Sequence, residues 1–235
     1  MQNQIGGEGP KIPAGTFVVV KMFTPTSNSQ SVSEQFTVPQ SGKYRVTVIG
    51  RGGDGGDGEH AYDGNGGGAG GGSGGWASSL LDLTENDTYQ ITVNSSVSSF
   101  GSLLTASSGT DAEDTTPGTG GTSSGGNLYN NKGLSGKTAS SIGIGGNGAA
   151  VRNPNQSLFL TSAVGQGGDY DYSWGGEKCQ GEAAVSKGPF APFGAGGGGG
   201  GGHHKDIESA PGYAGGEGSK GAVIIELLLK GVNDT

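Results

Sequence analysis

The stretch Gly66-Gly-Gly-Ala-Gly-Gly-Gly-Ser-Gly-Gly75 decides the fold, together with the tract Gly194–Gly202, which ends in seven consecutive glycines. The whole chain has 235 residues, of which 54 are glycine. Glycine loses more conformational freedom on folding than any other residue, about 0.5–1 kcal/mol more than alanine. Such tracts are therefore either disordered or held in a geometry that leaves no room for a side chain.

Segments with the pattern of β-strands flank the tracts. Several of them alternate apolar and polar residues, as Tyr44, Val46 and Val48 do on one face of their segment. No apolar face with a period of 3.6 residues occurs, so we expect essentially no α-helix. The strand-like segments are Thr16–Phe23, Ser31–Val38, Lys43–Ile49, Trp76–Leu83, Tyr89–Val93, Ser99–Ala106 and Gly221–Leu229.

Two interpretations of the tracts stay open. Each tract by itself is typical of a flexible Gly/Ser linker. The set, bracketed by strands, favours order: extended helices with three residues per turn can lie side by side when they lack side chains, and their backbone groups then bond across. We predict a mostly β protein in which antiparallel strands frame a polyglycine II helix bundle, with a polar arm over 1–14 and a single domain over 15–235.

Composition limits both the core and the function. Apolar residues other than glycine make up 30% of the chain, so we expect no conventional large core. The formal charge of −8 argues against nucleic acid as a partner. The start lacks the features of a signal peptide, and the apolar run Ala222–Leu229 is interrupted by Glu226, so we expect synthesis in the cytoplasm and no membrane insertion. Cys179 is the only cysteine and predicts no disulfide framework.

The order of the motifs resembles a known family. It is carried by Thr37-Val-Pro-Gln-Ser-Gly-Lys-Tyr44, Ala77-Ser-Ser-Leu80, Tyr89-Gln-Ile-Thr-Val93, Ser98-Ser-Phe-Gly-Ser-Leu-Leu-Thr-Ala106 and Gly221-Ala-Val-Ile-Ile-Glu226. Over about residues 31–229 the chain is similar to the glycine-rich domain of bacteriophage tail-fibre adhesins and receptor-binding proteins. No N-terminal attachment domain like that of the long-tail-fibre adhesins is recognisable in the sequence, so we expect a different mode of assembly.

The resemblance implies a fold and a role. Glycine stretches in that family form bundled polyglycine II helices, and variable loops at one end contact the host. We therefore expect a protein of the virion tail that binds a bacterial surface protein or glycan and contacts other tail proteins. A homo-oligomer is compatible with this role. The alternative is a structural virion protein, for decoration or tail assembly, without receptor contact.

Aromatic and histidine side chains on the inserts between tracts are the receptor-binding candidates. The segment Asp169–Trp174 is the strongest, because three aromatic rings within five residues resemble the composition of binding hot spots. Packing into a small core is the alternative for several of them, Phe193 included, and Trp76 is better explained as core. The candidates are Tyr62, Tyr129, Tyr170, Tyr172, Trp174, Phe190, Phe193 and His203.

Matches to catalytic motifs are expected by chance in a chain so rich in glycine and serine. Gly50-Arg-Gly-Gly-Asp-Gly55 fits a dinucleotide-binding pattern, but the residues after it cannot form the helix that the motif requires. His203 and His204 are adjacent, and a stable metal site needs three or four convergent ligands. We expect no enzymatic activity, no cofactor and no metal.

Overall fold

The computed structural model describes residues 15–58, 66–139, 146, 148, 193–197, 199–200 and 214–229. This part of the chain contains ten strands and no α-helix, and therefore no helix that could cross a membrane. The prediction of a mostly β protein is confirmed. The strands are β1 (Thr16–Phe23), β2 (Val32–Thr37), β3 (Gly42–Ile49), β4 (Trp76–Leu83), β5 (Thr88–Val93), β6 (Val97–Phe100), β7 (Leu104–Ser107), β8 (Ser123–Ser124), β9 (Tyr129–Asn131) and β10 (Ala222–Leu229).

The strands form two antiparallel sheets. Sheet one has the order β1-β10-β3-β4-β9, and sheet two has the order β2-β5-β6-β7-β8. The last strand of the chain, β10, lies inside sheet one between β1 and β3, with Val223 opposite Val48. Both faces of β10 are covered, since Val223 and Ile225 pack in one buried cluster and Ile224 packs in another. Seven of its eight residues are therefore buried, and it is the most continuously apolar segment of the chain.

The hydrophobic core lies between the two sheets. Tyr44, Val46 and Val48 of β3 face it, as their alternation predicts, and all three are fully buried. Sheet two contributes Phe100, whose ring stacks on Tyr89 at 4.6 Å between centroids. Within the described ranges, 16 buried residues form this cluster, so the expectation that a large core is absent is wrong for this half of the molecule. The apolar residues are few but concentrated in the strands.

One predicted strand is in fact two. Ser99–Ala106 was expected to be continuous, whereas the structure has β6 and β7 joined by a tight turn at residues 101–103. Gly101 adopts a left-handed conformation with φ of +52°, which reverses the chain there. The Leu103 amide donates to the Phe100 carbonyl across the turn at 3.1 Å.

The segments of the glycine-rich half adjoin the strands. Segments 50–58 and 107–114 follow β3 and β7, although 107–114 contains one glycine only, and segments 66–75 and 214–221 lead into β4 and β10. A second buried cluster occupies the junction with sheet one. It contains Ile49, Trp76, Phe193, Ala195, Ala222 and Ile224. The prediction that Trp76 belongs to the core is confirmed.

Candidate functional site

Segment 66–75 is central to the glycine-rich half, and all ten of its residues are buried. The eight consecutive amides from Gly68 to Gly75 each donate a hydrogen bond to a main-chain carbonyl of another segment, at 2.6–3.1 Å. The acceptors repeat with a period of three. Gly68, Gly71 and Gly74 donate to Gly200, Gly197 and Gly194; Ala69, Gly72 and Gly75 donate to Asp114, Thr110 and Ser107; Gly70 and Ser73 donate to Lys137 and Leu134.

The carbonyls of the same segment follow the same period. They accept from two further segments, 50–56 and 118–121, and from Gly146. Successive residues therefore point their backbone groups in three directions, whereas those of a β-strand point in two. The accepting pairs are Gly50 to Gly75, Gly53 to Gly72, Gly56 to Ala69, Gly118 to Gly70, Gly121 to Ser73 and Gly146 to Gly68.

Close backbone approach explains why glycine is required. A Cβ atom added at Gly71 would lie less than 3.0 Å from the carbonyl oxygen of Gly53, a contact that real Cβ atoms essentially never show. The obstructing atom belongs to the backbone and has no flexible side chain to move aside. Gly68 and Gly74, three residues to either side, meet the carbonyls of Gly56 and Gly50 in the same way.

Two aspartates extend this pattern with their side chains. The Asp54 carboxylate accepts from the Gly218 amide at 2.7 Å, and Asp57 accepts from Gly215 at 2.9 Å. Both aspartates and both glycines are three residues apart, which matches the main-chain period. Neither aspartate is among the predicted site residues. Their i, i+3 spacing within Gly50–Gly58 is the signal that could have found them.

The ends of the segments that point away from the sheets form what we call the distal end. Segment 50–58 runs towards it, since Gly50 bonds to Gly75 beside β4 and Gly56 bonds to Ala69 six residues further away. The hydrogen-bond partners of the other segments show in the same way which of their ends is distal. The connections that join distal ends are 59–65, the turn at 114–117, 140–145 and 201–213. Four connections therefore start and finish at one end of the molecule.

The long connection 149–192 is different. It begins after Gly148, where an added Cβ would touch the Gly196 carbonyl, and ends at Phe193, in the cluster beside sheet one. The aromatic segment Asp169–Trp174 belongs to this connection. The described residue that follows this connection, Phe193, lies at the sheet end of the molecule and not at the distal end.

Two of the eight candidate residues lie in the described part of the chain. Phe193 is only 6% exposed and packs in the cluster with Ile49 and Trp76. Of the two alternatives, receptor contact and packing into a core, the structure therefore places it in the core. Tyr129 was expected on a turn-like insert. It lies instead in β9 opposite Ser78, half-buried, with its ring 5.6 Å from that of Trp76.

The other six candidates lie outside the described residues. Tyr62 belongs to connection 59–65 and His203 to connection 201–213, which both join distal ends. Tyr170, Tyr172, Trp174 and Phe190 belong to connection 149–192. The polar arm 1–14, Cys179 and His204 also lie outside the described residues, and their predictions stay predictions.

The described residues show no arrangement typical of catalysis. The dinucleotide-like sequence Gly50–Gly55 lies in an extended segment, where Arg51 pairs with Asp54 at 2.5 Å. No group of three or more His, Cys, Asp or Glu side chains suited to a metal ion occurs within those ranges. What the described residues offer is a backbone-bonded scaffold with four connections that start and finish at its distal end.

No protein-family model matches the chain, and no curated protein matches it at a significant level. The resemblance to phage tail adhesins therefore stays a prediction.

Proposed function

We propose that this protein is a receptor-binding protein of a bacteriophage tail, in which a bundle of polyglycine II helices holds loops against a bacterial surface. The observation that carries the proposal is the period-three hydrogen bonding of segment 66–75 with its neighbours. A polyglycine II helix has three residues per turn and no internal hydrogen bonds, so its donors point outward in three directions. Hydrogen bonding with a period of three is what such a bundle requires.

The rigidity of this scaffold supports a role in recognition. A loop whose ends are fixed loses less entropy on binding than a free loop of the same sequence. Four connections start and finish at the distal end, and they include the candidates Tyr62 and His203. We propose that these connections form the receptor-contacting surface, and that Asp169–Trp174 contributes a contact outside it.

The alternative is a structural virion protein. One observation favours it: β1 is an edge strand of sheet one, and its Val18 and Val19 are each 44% exposed. An exposed apolar edge strand is suited to pairing with another chain. In this case the sheet end would dock on a virion protein and no host contact would be made.

Loop replacement separates the two functions. Residues 59–65, 201–213 and 169–174 are each replaced by Gly/Ser sequences of equal length, and the thermal unfolding of each variant is compared with that of the wild type. Labelled protein is then titrated onto a panel of bacterial strains and onto phage particles that lack this protein. We expect the 59–65 and 201–213 variants to keep their unfolding midpoint and to lose about tenfold or more in cell binding. Wild-type binding to particles but to no strain would overturn the receptor-binding proposal and favour the structural alternative.

A further inference from the structure

The sandwich has one closed side and one open side. Sheet one ends in β1 and β9, and sheet two ends in β2 and β8. β8 and β9 are only two and three residues long, and the Ser123 hydroxyl of β8 donates to the Asn131 carbonyl of β9 at 3.1 Å, which joins the two sheets there. Within the described ranges, the long edges of the sandwich are therefore β1 and β2, with eight and six residues.

Of these two long edges, β1 is the apolar one. β2 exposes Glu34, and a charged side chain on an edge strand disfavours pairing with another chain. In β1, Val18 and Val19 are each 44% exposed. An irregularity in register between Val19 and Lys21, together with the charge of Lys21, protects the second half of β1. The first four residues of the strand have neither protection.

The apolar part of this edge is complementary to itself. Phe17 and Val19 are two residues apart in the strand and therefore point to the same face of sheet one. When a second copy pairs antiparallel about a two-fold axis at Val18, Phe17 of each copy lies opposite Val19 of the other. Lys21 then lies opposite Gly15 of the other copy, so no like charges face each other across the contact.

The charges next to this edge are already paired. The Arg45 guanidinium lies 4.0 Å from the centre of the Phe17 ring and donates two hydrogen bonds of 2.6 Å to the Glu226 carboxylate. A second copy that approaches Phe17 therefore meets a neutralised pair and not a free charge. The remaining exposed surface of the first half of β1 is apolar, as pairing with an identical strand requires.

We propose that β1 pairs with β1 of a second copy of this chain, antiparallel and centred on Val18, so that the two copies share one continuous sheet. The structural alternative given above uses the same edge with a virion protein as its occupant. Self-pairing goes beyond the receptor-binding proposal, because it uses no residue of the distal connections and holds or fails independently of them. A contact of one short strand is smaller than the interface of a stable dimer, so we expect a dissociation constant on the order of 100 µM.

Sedimentation velocity of the full chain from about 5 to about 500 µM, on both sides of the expected dissociation constant, tests the proposal. We expect the wild type to shift from monomer to dimer over this range. Val18→Lys places two like charges opposite each other at the axis, so it should weaken dimer formation about tenfold or more. Leu103→Lys makes the same change at a residue that is 42% exposed in the turn between β6 and β7, and it should leave the dimer unchanged.

Three results would overturn the proposal. The first is a wild type that stays monomeric at every concentration; if this monomer binds phage particles that lack the protein, the edge belongs to the structural alternative. The second is equal dimer formation by the wild type and Val18→Lys. The third is an equal loss in Val18→Lys and Leu103→Lys. Loss of the dimer with normal binding to bacterial cells would leave the receptor-binding proposal intact.

A pair of opposite charges tests the register. Val18→Glu should be as monomeric as Val18→Lys, whereas an equimolar mixture of the two variants brings opposite charges together at the axis and should form a 1:1 dimer. Thermal unfolding midpoints close to that of the wild type show that both variants are folded. Val19→Lys, at an equally exposed residue, replaces Val18→Lys in the dilution series if that variant fails to fold. A mixture that stays monomeric would contradict pairing centred on Val18.

Discussion

The two halves of this molecule bury their chains by opposite means. In the sandwich, large side chains such as Phe100 and Tyr44 fill the space between two sheets, and the backbone bonds in two directions. In the glycine-rich half, segment 66–75 is equally buried although no side chain in it is larger than that of serine, and its backbone bonds in three directions. Burial in a protein therefore does not require apolar side chains, provided that every backbone group finds a partner.

Adding one methyl group to the glycine-rich half should be the most destabilising change. In Gly71→Ala the new Cβ meets the Gly53 carbonyl at less than 3.0 Å, so the two segments have to separate and their shared hydrogen bonds weaken. We expect a loss of more than about 4 kcal/mol in the free energy of unfolding, or no folded protein. Chemical denaturation followed by circular dichroism measures the change.

Gly42→Ala is the matched control in the sandwich. There the added Cβ lies 3.1 Å from the flexible end of the Leu227 side chain, which can move aside. We expect its stability to stay within about 1 kcal/mol of the wild type. Equal stabilities for Gly71→Ala and Gly42→Ala would show that segment 66–75 is not closely packed.

The sandwich should be destabilised by the opposite change, the removal of a large side chain. Phe100 is fully buried, and its ring lies 4.6 Å from that of Tyr89 and 6.4 Å from that of Phe36. We expect Phe100→Ala to lower the free energy of unfolding by about 3–5 kcal/mol. Phe100→Leu, which keeps most of the volume, should cost less than half as much in the same denaturation experiment. Similar losses for the two variants would contradict packing as the source of stability here.

The sandwich contains a buried ion pair and an exposed ion pair, which should contribute differently to its stability. Glu226 is 4% exposed and accepts two hydrogen bonds of 2.6 Å from Arg45, whose guanidinium lies 4.0 Å from the Phe17 ring. Glu226→Gln leaves the guanidinium without its counter-charge, and we expect a loss of about 2–3 kcal/mol.

Asp82→Asn is the control for the charge change. It removes the exposed ion pair between Lys43 and Asp82, so it should change stability by less than about 1 kcal/mol. If both variants lose the same amount, burial does not determine the strength of these ion pairs.

The smallest expected effect depends on pH. Burial raises the pKa of the Tyr44 hydroxyl above its usual value, and this hydroxyl donates to the Gln40 carbonyl at 2.8 Å. Above pH of about 10 the unfolded chain loses this proton while the folded chain keeps it, so stability falls as pH rises. We expect the stability advantage of the wild type over Tyr44→Phe to be constant below pH of about 9 and to shrink above about 10. An advantage that does not change with pH would contradict a buried neutral hydroxyl.

The alternation of apolar and polar side chains made the strands predictable. The glycine-rich segments have too few side chains for their packing to be predicted. Tyr44, Val46 and Val48 marked the core face of β3, and Trp76–Leu83 coincides with β4. The partners of segment 66–75 could not be derived, because glycines have no side chains to distinguish one register from another. The short strands β8 and β9 depend on tertiary pairing with β7 and β4, which local sequence does not record.

The candidate site was predictable only in outline. The sequence shows that inserts separate the tracts. Which connections start and finish at the distal end depends on the direction of each segment, and the sequence does not show that direction. Phe193 illustrates the limit, because its place beside Trp76 depends on a contact between residues 117 positions apart in the sequence. The surface cleft lined by Asn28, Asn94 and Glu217 was not predictable for the same reason, since these residues come together only in the folded chain.

Amide hydrogen exchange, resolved by NMR at residues 68–75, tests whether the backbone of segment 66–75 bonds in three directions. All eight amides donate to other segments, so we expect eight consecutive slowly exchanging amides, with protection close to that of the buried strand β10. Exchange at the rate of an unstructured peptide, or protection at alternate residues only, would contradict backbone bonding in three directions.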